Sequence, residues 1–442
     1  MATNKKEEEK PVKRVKTPET LRGMKDILPD EQIYWEYFRR KAREISAAYS
    51  FGRIDMPILE DEKLFVRTVG KQTDIVEKEM YNFLDKGESK VTLRPEATAS
   101  VARAYINHGM LNLPQPVKLW YMGPMFRYDR PQSGRYRQFH QYGLEVIGGP
   151  DSVVDAQLIL IAVRLFEDLG LKVKVEINSI GTATTRQEYK IELIAYARKH
   201  RKELCEDCTR RLSRNPLRLL DCKQEACRTI MKDAPQIIDW LDEDSKQHFM
   251  QLIEYLDEIS VPYVLNPHLV RGLDYYNRTV FEVVPDRGDD ADLGSQSALA
   301  AGGRYDGLVE QMGGREETAA VGLAVGIERA ILEMKQQDVE PPALPRPDIF
   351  FAQIGAEARR AALQHFEDVR AAGFHVVEAF GKSSLKGQLE AANKENARFT
   401  VILGQLEVQD NTIIVRDMES GAQETIPMEQ MIDYLKKEMG RK

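Results

Sequence analysis

The sequence predicts an α+β domain built on a mostly antiparallel sheet with flanking helices, interrupted by a helical insertion and followed by a small α/β domain. Three observations carry this. Val117–Tyr128 and Gln138–Ile147 are rich in aromatic and β-branched residues and bracket a polar loop, Asp129–Arg137, the pattern of a long antiparallel hairpin. Residues from about 182 to 260 turn helical, charged and cysteine-bearing. After a Pro-rich segment, strand and helix patterns alternate in short steps, as a small α/β unit requires.

In chain order, residues 1–17 mix Lys, Glu and Pro with almost no apolar residues and read as a disordered, solvated tail. A domain over 18–335 follows. Ile33, Tyr34, Tyr37, Phe38, Ala42 and Ile45 recur at helical spacing, so Glu31–Tyr49 reads as an amphipathic helix ahead of Gly52. Ser152–Leu169 reads as a helix opened at Ser152-x-x-Asp155 and closed by Gly170. Strands are predicted at Val173–Ile177 and Thr279–Val284, and Thr318–Met334 passes from strand to helix. The insertion covers about 182–260. Prolines 341, 342, 345 and 347 stiffen a linker over 336–347. Beyond it, over 348–442, strands at Ile349–Ile354, Phe374–Phe380 and Thr400–Leu403 alternate with helices at Ala356–Ala372 and Leu385–Ala397.

Composition narrows the function. The 442 residues are 42% hydrophobic and 30% charged, an ordinary globular mix. No apolar run approaches the roughly 18 residues that span a bilayer, the longest being Leu158–Val163, so no membrane partner is expected. The charged N-terminus does not resemble a signal peptide, and four cysteines in so long a chain suit a reducing, cytoplasmic setting. The net charge of −7 repels nucleic acid overall, so a nucleic-acid partner needs local basic patches. Phosphate-loop, dinucleotide and H-E-x-x-H patterns are missing. A nucleotide would have to be held by arginines on an antiparallel sheet.

The hairpin loop, Arg127-Tyr-Asp-Arg130-Pro-Gln132-Ser-Gly-Arg135-Tyr-Arg137, carries four arginines in eleven residues. In the second strand, period-two alternation puts Gln141, Gly143 and Glu145 on one face, with the small Gly143 leaving room for a ligand. The alternative is a solvated basic loop with Glu145 paired to an arginine, although a carboxylate and an amide buried in so aromatic a strand cost free energy. Thr92-Leu-Arg94-Pro-Glu96-Ala97-Thr98 sets Glu96 beside a helix N-terminus, where it is either a ligand group or a dipole-favoured first-turn residue. Leu269-Val-Arg271-Gly-Leu-Asp-Tyr275-Tyr276 and Ala301-Gly-Gly-Arg304-Tyr305-Asp306 follow. In Gly322-Leu-Ala-Val-Gly326-Ile-Glu-Arg329, the two glycines allow close approach to the backbone. Arg329 there opposes the helix dipole, as a residue kept for an anionic ligand would.

Together with Arg22-Gly-Met-Lys-Asp26, these stretches resemble the class II aminoacyl-tRNA synthetases, specifically the histidyl family, over about residues 20–440 and in that family's order. The resemblance implies the class II synthetase fold and a C-terminal anticodon-binding α/β domain. It also implies ATP-dependent activation of L-histidine, transfer to tRNA(His), Mg²⁺ with the ATP phosphates, and a homodimer with Glu31–Pro57 at its interface. By resemblance, Arg127 and Arg271 are the catalytic arginines at the α-phosphate and Arg329 clamps the γ-phosphate. Glu96, Ala97, Thr98, Arg127, Gln141 and Arg271 bind the amino acid, with Glu145, Tyr275, Tyr276 and Tyr305 around the imidazole. Arg130, Gln132, Arg135 and Arg137 contact the tRNA end. The resemblance leaves one rival, a non-catalytic histidine-sensing paralogue that partners ATP phosphoribosyltransferase; such a paralogue loses the phosphate-binding arginines and the C-terminal domain.

Two features stay open. Cys205-x-x-Cys208 and Cys222-x4-Cys227, thirteen residues apart, are either a structural zinc set or ordinary reduced thiols, and no metal is assigned to them. The surrounding arginines, Arg210, Arg211, Arg214 and Arg218 among them, are either an acceptor-stem patch or a solvated face.

Overall fold

The computed structural model describes residues 17–70, 73–286 and 298–441. Apart from Thr17, the tail expected over 1–17 lies outside them. The chain forms two compact units that meet in sequence at Pro341 and Pro342.

An eight-stranded sheet organises the first unit. Its strands lie in the order Gly52–Arg53, Val117–Phe126, Gln138–Ile147, Ala320–Gly326, Ala300–Arg304, Asn277–Pro285, Val173–Ser179, Tyr263–Leu265. The six inner strands are antiparallel to their neighbours, and each short outer strand joins parallel. The long hairpin pairs in unbroken register from Val117 opposite Ile147 to Phe126 opposite Gln138. This is the fold class the sequence predicts.

Helices cover one face. Gln32–Ala48 buries Trp35, Phe38, Ala42 and Ile45, residues three and four apart that form one stripe. Ser152–Asp168 packs Leu158, Ile159, Ala162, Leu165 and Phe166 into the same core. Its cap differs from the one the sequence suggests. Asp151, extended, accepts from the Val153 N–H at 2.9 Å, so Ser152 is already helical and Asp155 is no cap partner. Asp155 instead lies fully buried beneath the sheet, where Arg304 Nη2 reaches Oδ1 at 2.9 Å and Arg304 Nε reaches Oδ2 at 3.2 Å. The Thr279 hydroxyl and His248 Nε2 complete the set. Burial works to raise this carboxyl, but Arg304 and His248 hold it below its ordinary range.

The other face carries a three-stranded antiparallel sheet, Leu59–Asp61, Lys90–Leu93 and Tyr81–Leu84, and the insertion's helices Ala183–Lys199, Glu206–Arg214 and Glu225–Lys232. The insertion's last helix, Glu243–Glu258, packs instead against Ser152–Asp168 in the core of the first face.

In the second unit, Val376–Glu378, Ile349–Gln353 and Phe399–Leu403 form a parallel core. Thr412–Asp417 and Gln423–Pro427 extend it as an antiparallel hairpin that the strand–helix alternation does not anticipate. The strand patterned over Phe374–Phe380 shortens to three residues.

Candidate active site

The hairpin, the insertion and the Leu269–Tyr276 segment enclose a cavity of about 720 Å³. Its walls bring together Glu96, Ala97, Thr98, Arg127, Gln141, Arg271, Tyr275, Tyr276 and Arg329, residues drawn from five separate stretches of sequence. Gln132 and Arg135 from the hairpin loop also face it. Arg130 and Arg137 do not. Arg137 stacks 3.7 Å over the Tyr128 ring, and its backbone N–H donates to the Gly23 carbonyl, which ties the loop to the Arg22–Asp26 motif. Gly23 has φ +84° and abuts Pro131 and the Arg137 side chain, so a Cβ there would clash with both.

Each arginine is held from behind. Arg127 Nε donates to the Pro95 carbonyl at 2.8 Å, and the guanidinium lies 5.3 Å over the Phe139 ring. Arg271 pairs with Glu282 at 2.5 Å and lies 5.5 Å over Tyr276. Burial works against its charge, but Glu282 and the two tyrosines keep it firmly ionised. Arg329 donates to the carbonyls of Gly134 and Ala298. Burial, then repulsion from Arg135 and Arg127, lowers its proton affinity. Arg127, Arg135 and Arg329, facing one space, repel one another unless an anion arrives.

Glu96 is buried, and its carboxylate accepts from the backbone N–H groups of Thr98 at 2.7 Å and Ala99 at 3.1 Å. It therefore satisfies the first N–H groups of the helix Thr98–Asn107 from just before the Ala97 cap, while its residue lines the cavity. Burial raises its carboxyl, with the two N–H groups and Arg127 opposing. Two buried polar atoms of the wall, Gln141 Oε1 and Arg271 Nε, have no hydrogen-bond partner. Orphaned groups of this kind cost about 1–3 kcal/mol each and point to a ligand that completes them.

Glu145 and Tyr305 sit one layer beneath the lining. The carboxylate accepts from Tyr305 OH at 2.5 Å, Thr98 Oγ1 at 2.8 Å and Tyr121 OH at 3.4 Å. Burial pushes the Glu145 carboxyl up to about 8, against the three hydroxyls. Two glycines make this possible, and not as the sequence suggests. The space above Gly143 is filled by the Tyr121 phenol rather than by a ligand, because Tyr121 is its cross-strand partner. A Cβ on Gly322 would collide with the Glu145 carboxylate itself. Tyr275, Tyr276 and Tyr305 pack edge-on and tilted, with centroids 4.7–6.5 Å apart.

Sequence reasoning missed the opposite wall. Asp74, Glu77 and Glu79, on and beside the single turn Ile75–Glu79, line the cavity. Arg211 and Arg214 of the insertion reach Asp74 at 3.7 Å and Glu77 at 3.5 Å, so these arginines border the cavity while Arg214 stays largely exposed to solvent. The only signal was complementary charge more than a hundred residues apart. The four cysteine sulfurs converge to within 4.8 Å of one another.

Comparison with known proteins adds to this geometry. Residues 23–330 match the family profile described as histidyl-tRNA synthetase, and residues 348–438 match that of an anticodon binding domain. A histidine–tRNA ligase of Dehalococcoides mccartyi (strain ATCC BAA-2266 / KCTC 15142 / 195) is 47% identical over 419 residues, 95% of this chain and 99% of that protein. One from Natranaerobius thermophilus is 44% identical over 421 residues, with the same coverage of each. Among solved structures, apo histidyl-tRNA synthetase of S. aureus superposes with a TM-score of 0.78 at 36% identity, covering 95% of this chain and all of that one. A Bacillus halodurans chain described as an ATP phosphoribosyltransferase regulatory subunit/histidyl-tRNA synthetase shares the fold at 22% identity and a TM-score of 0.60, over 89% of this chain and 99% of its own.

Proposed function

The chain belongs to the histidyl-tRNA synthetase family, and from that premise we propose how its cavity joins histidine to ATP and passes it to tRNA. The reaction is histidine–tRNA ligation: ATP activates L-histidine to histidyl-adenylate, and the amino acid moves to the 3′ end of tRNA(His) with release of AMP and pyrophosphate.

Adenylate formation brings the histidine carboxylate against the α-phosphate, so two anions must meet. The observation that supports this reading most directly is the convergence of Arg127, Arg271 and Arg329 on one buried space beside Glu96, Gln141 and the tyrosines. Arg127 and Arg271 neutralise the carboxylate and α-phosphate, and Arg329 takes the γ-phosphate. A guanidinium suits each task, being permanently charged with a fixed fork of donors. Catalysis is then positioning and charge stabilisation more than proton transfer. Glu96 and Gln141 take the α-amino group, the Gln141 oxygen being the unpartnered acceptor. Tyr276 faces the imidazole, while Glu145 acts from below the floor by holding the Tyr121 and Thr98 hydroxyls in position. A neutral imidazole needs one donor and one acceptor, which this layer supplies.

Mg²⁺ would enter as the counter-ion of the ATP phosphates. Among the described residues no group of three carboxylates or histidines converges in the cavity, and its Glu282 is taken by Arg271, so the wall fits a substrate-borne ion rather than a protein cage. Gln132 and Arg135 are disposed for the tRNA 3′ end, with Arg130 and Arg137 shaping the loop that carries them.

A homodimer is the expected assembly. The apolar stripe of Gln32–Ala48 is buried in its own core, so an interface around Glu31–Pro57 would draw its apolar area from exposed neighbours such as Ile58 and Leu59. Among the described residues no helix is long and apolar enough to cross a membrane, and the cytoplasm is the proposed location. The sensor reading has less support, because histidine sensing needs no cluster of phosphate-binding arginines. Pyrophosphate exchange with ATP against all twenty amino acids tests the whole: exchange with histidine alone is expected, and exchange with none would leave only the sensor.

A further inference from the structure

We propose that Cys205, Cys208, Cys222 and Cys227 bind one structural zinc ion that clasps the insertion's wall of the active-site cavity. All four sulfurs lie within 4.8 Å of one another, and Cys205 Sγ is already 3.9 Å from Cys222 Sγ. Tetrahedral Zn–S bonds of about 2.3 Å place sulfurs about 3.8 Å apart, so closure needs less than about 1 Å of side-chain movement. Disulfides would instead pair the sulfurs two by two at about 2.05 Å. Here four thiols from three segments meet at one point.

The backbone is arranged as a thiolate site needs. The Cys205 N–H donates to Cys227 Sγ at 3.2 Å and the Cys208 N–H to Cys205 Sγ at 3.4 Å, the second-layer bonds that orient and stabilise anionic sulfur. Four thiolates fill the tetrahedron and leave no open position for substrate, which marks a structural ion rather than a catalytic one; Cys208, Cys222 and Cys227 are also buried. Binding releases four thiol protons to solvent and leaves a net charge of −2 on the cluster.

The local fold has reason to need the ion. Cys205 caps the nine-residue helix Glu206–Arg214, Cys208 lies within it, Cys222 follows the short turn Pro216–Leu219, and Cys227 is in the eight-residue helix Glu225–Lys232. Helices this short are marginal without a staple. The segment they frame carries Arg211, Arg214 and Arg218 on the cavity wall, so the ion would fix the wall's position.

The full chain, expressed with zinc in the medium and purified under reducing conditions without chelator, provides the test. Elemental analysis should find one zinc per chain, with X-ray absorption giving four sulfurs at about 2.3 Å. A mercurial that blocks thiols should release the zinc, and chelation should lower the melting temperature in a way that zinc alone reverses. Cys227→Ser and Cys208→Ser should lose the metal; if either fails to fold, the wild-type measurements still decide. Wild-type protein with little or no zinc and four freely titrating thiols overturns the proposal. So does an iron–sulfur absorption band with iron in place of zinc.

Discussion

At the scale of single residues, Glu145 shows how burial sets chemistry. It has hydroxyl partners from three separate elements and no cation within bonding distance, so burial dominates and its carboxyl rises to about 8. The sign follows from linkage. A raised acid is protonated in the fold while ionised in the unfolded chain between about pH 4.5 and 8, so its contribution to stability falls as pH rises through that window. Glu145→Gln removes the titration, so its melting temperature should gain on wild type from pH 5 to 8 and then level off. A constant difference across that range would refute the shift. The same substitution should weaken histidine activation by about 1–3 kcal/mol and leave ATP binding nearly unchanged, because the arginines lie elsewhere. Pyrophosphate-exchange kinetics alongside separate ATP titration decide this; unchanged histidine kinetics would mean that Glu145 only supports the hairpin. Arg271→Ala should cost about 10²–10³ in adenylate formation, the price of one lost contact to a developing oxyanion. The variant should remain folded by circular dichroism, and near-wild-type exchange would remove Arg271 from the mechanism.

At the scale of elements, the sheet depends on a charge cluster that looks functional in sequence. Arg304 belongs to a Gly-Gly-Arg-Tyr-Asp stretch that invites a ligand reading, yet its guanidinium is wholly buried and taken by Asp155, Asp306 and the carbonyls of Gly149 and Asp151. It bolts the helix Ser152–Asp168 to the strands Ala300–Arg304 and Asn277–Pro285. Removing one partner leaves the other charge buried and uncompensated, so Arg304→Ala should cost about 3–5 kcal/mol. Denaturant unfolding measures it, and a loss under about 1 kcal/mol would make the cluster dispensable. The hairpin makes the complementary point. Its alternation was legible, so Gln141 and Glu145 could be put on one face, but what fills the gap at Gly143 depends on which residue of the other strand lies opposite. That is a matter of pairing register, set by loop length and packing together.

At the scale of the whole molecule, the division at Pro341 and Pro342 separates two units with their own buried cores. Cutting there should leave a soluble first unit that still activates histidine but charges tRNA poorly, because the second unit matches an anticodon-binding domain. Aminoacylation and pyrophosphate exchange on the truncated chain separate the two steps. Charging as efficient as that of the full chain would remove the second unit from tRNA binding.

The sequence by itself determined the hairpin, the main helices, the parallel core of the second unit and a group of cavity-lining residues that includes Glu96, Arg127, Gln141, Arg271 and Arg329. All of these are written in local periodicity, in turn residues and in short motifs whose members are neighbours in the chain. Only the tertiary structure decided which layer each residue occupies. It put Glu145 and Tyr305 beneath the floor, gave Arg304 a structural partner in Asp155, and moved the helix cap back to Asp151. It also paired Arg211 and Arg214 with Asp74 and Glu77 and gathered four cysteines to one point. Each of these depends on contacts between residues far apart in sequence. A motif specifies which groups are present, but burial and pairing across the fold decide whether a charge meets a ligand, a counter-charge or a metal.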